Sequence, residues 1–105
     1  EDHIETLRII ERTLDVYLDR QDTRNALATS EQLLSRATGA LPENDLNLAG
    51  FFVMRGEALE LDEQTGAAIR AYEQALAIYE SFHGPDHPRT IATRENIERL
   101  RRTGS

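Results

Sequence analysis

The side chains of this chain best suited to moving protons or holding a metal are nineteen carboxylates and three histidines, and there is neither cysteine nor lysine. Without lysine there is no Schiff-base chemistry and no phosphate-loop lysine, and without cysteine there is no thiolate nucleophile or thiolate metal site. His83 and His87 stand four apart, a spacing that shares one face of an unbroken helix, but Gly84 and Pro85 lie between them and break the helix. Two histidines, with His3 far off in sequence, fall short of a metal's ligand count, so no metal site is expected. Glu11, Asp15, Glu57 and Glu60 are predicted to meet on one surface, where an acid–base pair would need a pocket that raises one pKa. No glycine-rich loop, Ser-His pair or metal triad supplies such a pocket. A solvated charged face is the expectation, with no catalytic residue, no cofactor and no enzymatic activity.

The elements that must position these groups are helices. Ile4, Leu7, Ile10, Leu14 and Tyr17 recur at three- and four-residue steps, which predicts an amphipathic helix over about 3–20. Asp22 or Thr23 caps a second helix running to about Thr38, with Ala26, Leu27, Ser30, Leu33, Leu34 and Ala37 inward and Gly39 at its end. A third helix, from about Asp45 to Leu61, presents Leu48, Ala49, Phe52, Gly56 and Leu59. The fourth, capped by Thr65 and ending near Phe82, presents Ala68, Tyr72, Ala75, Leu76 and Tyr79. Gly56 inside a helix costs about 1 kcal/mol against alanine, which implies close helix contact, with Ala68 the expected neighbour. Pro85 stops the fourth helix and Pro88 suits the first turn of a fifth, over about 88–102, which buries Ile91, Ile97 and Leu100 and little else.

The chain also repeats itself. Thr23, Ala26, Leu27, Glu31, Gln32 and Leu34 return as Thr65, Ala68, Ile69, Glu73, Gln74 and Leu76, each 42 residues on. Gly56, Ala68, Tyr72 and Ala75 stand at the spacing of small, small, aromatic and small positions. With Tyr72–Tyr79 (YEQALAIY) and the loop Gly84–Pro88 (GPDHP), the chain resembles the tetratricopeptide repeat family, in its long form of kinesin light chains and bacterial regulators. That resemblance implies an all-α array of antiparallel helix hairpins, an α-solenoid of about two and a half repeats. The expected division is repeat 1 over about 3–44, repeat 2 over about 45–86 and a capping helix over about 88–102, together one domain across 1–105. Leu14 and Ser30 stand where the family pattern has a small and an aromatic residue, so looser packing is expected in the first pair. The family loop accounts for His87 without a metal.

In this architecture the first helix of each pair lines the concave side. The resemblance therefore makes Arg8, Glu11, Asp15, Leu18, Val53, Glu57, Glu60 and Leu61, with Glu95 and Arg99 from the last helix, the candidate partner-binding residues. The net charge is −7, split into −10 for residues 1–88 and +3 for residues 89–105. An acidic body disfavours nucleic acid, because phosphate contacts dominate that affinity. It suits a basic or amphipathic peptide. No apolar run has the length of a membrane span. The expected function is a non-catalytic, cytoplasmic protein-interaction scaffold, excised from a larger bacterial protein as the missing initiator methionine and the closing Thr103-Gly104-Ser105 imply. Self-association through the array ends or neighbouring repeats, and a sensor segment of a larger regulator or enzyme, are the rival readings.

Overall fold

The computed structural model describes residues 2–103, with side chains from Ile4 onward; Gly104, Ser105 and the side chain of His3 lie outside the described residues. Five helices follow in order: α1 (Asp2–Asp19), α2 (Thr23–Ala40), α3 (Leu46–Leu61), α4 (Thr65–His83) and α5 (Pro88–Thr103), with no strand among the described residues. Each helix packs on its neighbours in sequence, α1 on α2, α2 on α3, α3 on α4 and α4 on α5, and α1 also touches α3. The fold is an all-α helical repeat.

Local chemistry explains where the helices start and stop. The Asp22 carboxylate accepts the Asn25 amide at 3.4 Å and the Asn25 side chain at 2.8 Å, and Asp45 accepts the Asn47 amide at 2.8 Å, so each aspartate satisfies a free donor of the first turn. The turns inside the two pairs are copies of one another. Gln21 (φ 56°) and Glu63 (φ 59°), 42 residues apart, both adopt the left-handed conformation. In one turn the amides of Gln21 and Asp22 reach the carbonyls of Leu18 and Tyr17; in the other those of Glu63 and Gln64 reach Glu60 and Leu59. Gly84, at φ 82°, ends α4 in a conformation that glycine adopts without steric conflict.

Four expectations change. Gly39 lies within α2, which runs on to Ala40 and closes through extended Leu41, whose amide bonds the Ala37 carbonyl at 2.8 Å. Thr65 is the first residue of α4 rather than its cap; Gln64 holds the cap position and makes no side-chain cap bond. Ile4 and Ile91 are exposed, and α5 instead buries Thr90 and Thr93 beside Ile97 and Leu100. The close partner of Gly56 is the Tyr72 ring, not Ala68: a Cβ at Gly56 would lie 2.7–2.9 Å from three ring atoms. Ala68, one turn before Tyr72 on α4, is itself fully buried.

The core is nearly continuous. Leu7, Ile10 and Leu14 of α1 meet Leu33 and Ala37 of α2 and the buried residues of α3, and a second cluster of Leu59, Ala68, Ala71 and Tyr72 carries the packing to Ile97 and Leu100. Because α3 lies between α2 and α4, it buries two faces, adding Phe51, Met54 and Ala58 to the predicted stripe. Leu14 and Ser30 are both fully buried, yet α1 packs on α2 less extensively than α3 does on α4, in keeping with the looser first pair that the sequence predicts.

Candidate functional site

α1, α3 and α5 occupy equivalent places in successive units, and positions 42 residues apart fall in columns across their shared face. One column is Asp15, Glu57 and Arg99; the next is Leu18 and Glu60; a third is Glu11, Val53 and Glu95. Side chains of neighbouring columns sense one another. Glu57 is raised above the ordinary carboxylate value first by burial, then by the charges of Glu60 and of Asp15 across on α1. Glu57 nevertheless remains exposed to solvent. Glu11 is raised by burial and by Asp15, with Arg8 partly compensating. None of Glu11, Asp15 and Glu57 takes part in the three ion pairs of the described residues.

Glu60 is different, because its charge is already in use. Its Oε2 accepts the Tyr72 hydroxyl at 2.5 Å and the Arg99 guanidinium at 3.1 Å, tying α4, α3 and α5 together. Burial and the bond to Glu60 push the Tyr72 phenol far up, so it stays a proton donor. The bond to Glu60 raises Arg99 in turn. Arg99 also donates to Asn96 Oδ1 at 3.1 Å.

At the edge of this face an open hollow of about 440 Å³ is bounded by Glu11, Asn47, Gly50, Tyr79, His83 and His87, among others. The His83 and His87 rings stack with centroids 3.8 Å apart. His87 Nδ1 accepts the Arg89 amide at 3.1 Å, so this imidazole caps α5 with a lone pair that it has only when Nδ1 is unprotonated. Loss of hydration, then His83 and Arg89, hold His87 below the ordinary imidazole value, which keeps that lone pair available. Among the described residues no three His, Asp or Glu side chains gather as a metal-binding group.

Comparison with known proteins places this architecture. A model of the tetratricopeptide repeat matches residues 48–104. The chain belongs to the tetratricopeptide repeat family. Over 92 residues it is 29% identical to the N-lysine methyltransferase SMYD2 of Bos taurus and of Sus scrofa, and 28% identical to that of Homo sapiens. Each match covers 88% of this chain and 21% of the relative, so the chain spans about a fifth of the length of these curated relatives. Tetratricopeptide repeats generally mediate protein–protein interaction, and the family is typically non-catalytic.

Within this repeat architecture the ten candidates divide. Arg8, Asp15, Glu57, Glu95 and Arg99 are exposed and Glu11 is half-buried. Leu18, Val53 and Leu61 are half-buried and pack against the core, so they offer the edges of side chains rather than free ones. Glu60 is engaged from inside. The sequence reading missed two residues that shape this face. Core spacing marks Tyr72 for packing and gives no sign of its hydroxyl bond, although buried tyrosine ordinarily needs a polar partner and Glu60 lies twelve residues before it. Arg55, which the sequence reading does not single out, donates to the Leu27 carbonyl at 3.1 Å and to Ser30 Oγ at 2.9 Å, fastening α3 to α2. Its only signal in the sequence is an arginine at a position that faces the preceding helix.

Proposed function

We propose that this chain is a non-catalytic interaction module that binds a basic or amphipathic peptide segment along the concave face lined by α1, α3 and α5. The observation that carries this reading is a surplus of negative charge. Glu11, Asp15 and Glu57 are drawn together by the packing of α1 on α3, two of them resist ionisation, and no ion pair of the described residues relieves them. Carboxylates that destabilise one another in the free protein gain most from an incoming guanidinium or ammonium group, which offsets their repulsion and their loss of hydration together. Half-buried Leu18, Val53 and Leu61 beside them give the apolar side of an amphipathic helix something to rest on. Arg99, held by Glu60, and exposed Glu95 border the site at α5.

Glu60 is already engaged by Tyr72 and Arg99, which supports a binding role for this face over a catalytic one. No helix among the described residues is long and apolar enough to cross a membrane. A cytoplasmic scaffold or regulator cut from a larger bacterial protein is the setting proposed for it, in line with its arginine-only basic composition.

The test is fluorescence anisotropy with an arginine-rich amphipathic peptide of about 20 residues. Reversing the charges of Glu11, Asp15 and Glu57 should weaken binding at least about tenfold and flatten its dependence on salt. Equal affinity and equal salt dependence in wild type and variant would sink the reading.

A further inference from the structure

One face of α1 is unaccounted for by the concave site and by the core. Glu5, Ile9, Arg12, Thr13, Val16 and Arg20 form a stripe at steps of three and four, and the Arg20 amide still bonds the Val16 carbonyl at 3.0 Å, which carries the stripe past the helix end. Ile9 is 64% and Val16 46% exposed. The internal repeat tells what such a face is for. The residues 42 positions on, Phe51 and Ala58 of α3, are 6% and 0% exposed, and those 84 positions on, Thr93 and Leu100 of α5, are 3% and 6% exposed. Helix α3 has α2 packed against it and α5 has α4. Arg55, the counterpart of Thr13, makes its two bonds to α2 from this same face. In α1 alone the position is left apolar with no described element over it.

The opposite end of the array is built differently. Where α1 and α3 turn apolar residues to their own hairpin partner, α5 has Ile91, Arg94, Glu98 and Arg101 at the equivalent positions. Arg94 is bonded to Glu80 and to the Pro85 carbonyl, and Arg101 to Glu73. A charged end of this kind does not cover Ile9 and Val16, so stacking head to tail is disfavoured.

The stripe itself is palindromic about the midpoint between Arg12 and Thr13. We propose that α1 docks antiparallel on the α1 of a second copy across a two-fold axis. Ile9 of each copy then lies against Val16 of the other, and Glu5 of each points toward Arg20 of the other at the two ends. Glu5, Arg12 and Arg20 enter none of the three ion pairs of the described residues, which leaves them available for this pairing. The same symmetry brings the two Arg12 side chains to one rim, an unfavourable pair that keeps the dimer weak. This surface is separate from the concave face, so a peptide and a second copy can be held at once.

Sedimentation equilibrium of the 105-residue chain from about 1 μM to about 1 mM tests this. The expected result is a closed monomer–dimer equilibrium. Ile9→Glu and Val16→Glu, at sites exposed in the monomer, should each raise the dissociation constant at least about tenfold with the circular dichroism and melting curve unchanged; Arg12→Ala should lower it about threefold. Glu5→Arg and Arg20→Glu should each weaken the dimer and together restore it. A strict monomer across the range, leaving the face to a helix from elsewhere, overturns the proposal. So does association that ignores Ile9→Glu, growth beyond the dimer, or failure of the charge swap to restore pairing.

Discussion

The two helix pairs fill the same position in opposite ways. In the first, α1 contributes Leu14 and α2 contributes Ser30; in the second, α3 contributes Gly56 and α4 contributes Tyr72, each 42 residues on and all but Gly56 among the largest fully buried side chains. Large against small has become small against large. Core volume is conserved across the pair rather than at each residue, which is how close-packed interiors tolerate substitution. The inversion has a polar consequence as well. Each pair uses the hydroxyl on its second helix to hold a neighbour: Ser30 of α2 accepts Arg55 of α3, while Tyr72 of α4 donates to Glu60, which also holds Arg99 of α5. Where the second pair has Glu60 the first has Leu18, so the α1 end of the face shared by α1, α3 and α5 carries an apolar residue with no such latch.

Exchanging the two solutions is the severest way to probe this difference. Leu14→Gly should cost about 4 kcal/mol, from the cavity and the helix propensity of glycine, and Ser30→Tyr about 2 kcal/mol from overpacking. If volume is shared across the pair, the double variant recovers at least about 2 kcal/mol of their sum in denaturant unfolding, whereas additivity within about 0.5 kcal/mol would show that the sites are independent. Gly56→Ala sharpens the point from the other side. Alanine is the better helix former by about 1 kcal/mol, yet its Cβ would press on the Tyr72 ring, so a net loss of about 1–2 kcal/mol is expected; a gain in melting temperature would mean that the ring moves aside freely. Tyr72→Phe removes the donor to Glu60 and leaves Arg99 alone on it, which should cost about 1 kcal/mol, against no change if the hydroxyl is as well served by water. Smallest and opposite in sign, Gln21→Gly and Glu63→Gly relieve a left-handed backbone in the matching turns, and each should stabilise by about 0.5–1 kcal/mol. Unequal responses would show that the turns are alike in geometry but not in strain.

Periodicity and spacing made the five helices, their pairing and the family legible, because an apolar stripe and a 42-residue echo survive the substitution of individual residues. They did not give the partner of Gly56, since a small residue announces close approach without naming what approaches, and Tyr72 lies only one turn from the expected Ala68. Neither did they give the burial of Thr90 and Thr93: α5 docks through short polar residues as well as Ile97 and Leu100, and a hydrophobicity pattern is blind to the former. The Thr90 hydroxyl has no hydrogen-bond partner among the described residues, a cost that the sequence gives no reason to expect. On the face shared by α1, α3 and α5 the carboxylates were legible as a group, whereas their separation into one that is latched and three that are not depends on which helices touch.

In the proposed function, Glu11 and Glu57 serve a partner at some expense to the free fold. Their protonated forms are favoured by the folded chain, so their contribution to stability declines as pH rises from the ordinary carboxylate value through the raised one and is lowest at neutral pH. The direct test is thermal melting near pH 7, with and without the arginine-rich peptide, of the wild type and of the Glu11→Gln/Glu57→Gln variant. The variant should melt higher than the wild type when free and gain little from the peptide, while the wild type gains several degrees. A variant that melts lower when free, or that the peptide stabilises as much as it does the wild type, would contradict it.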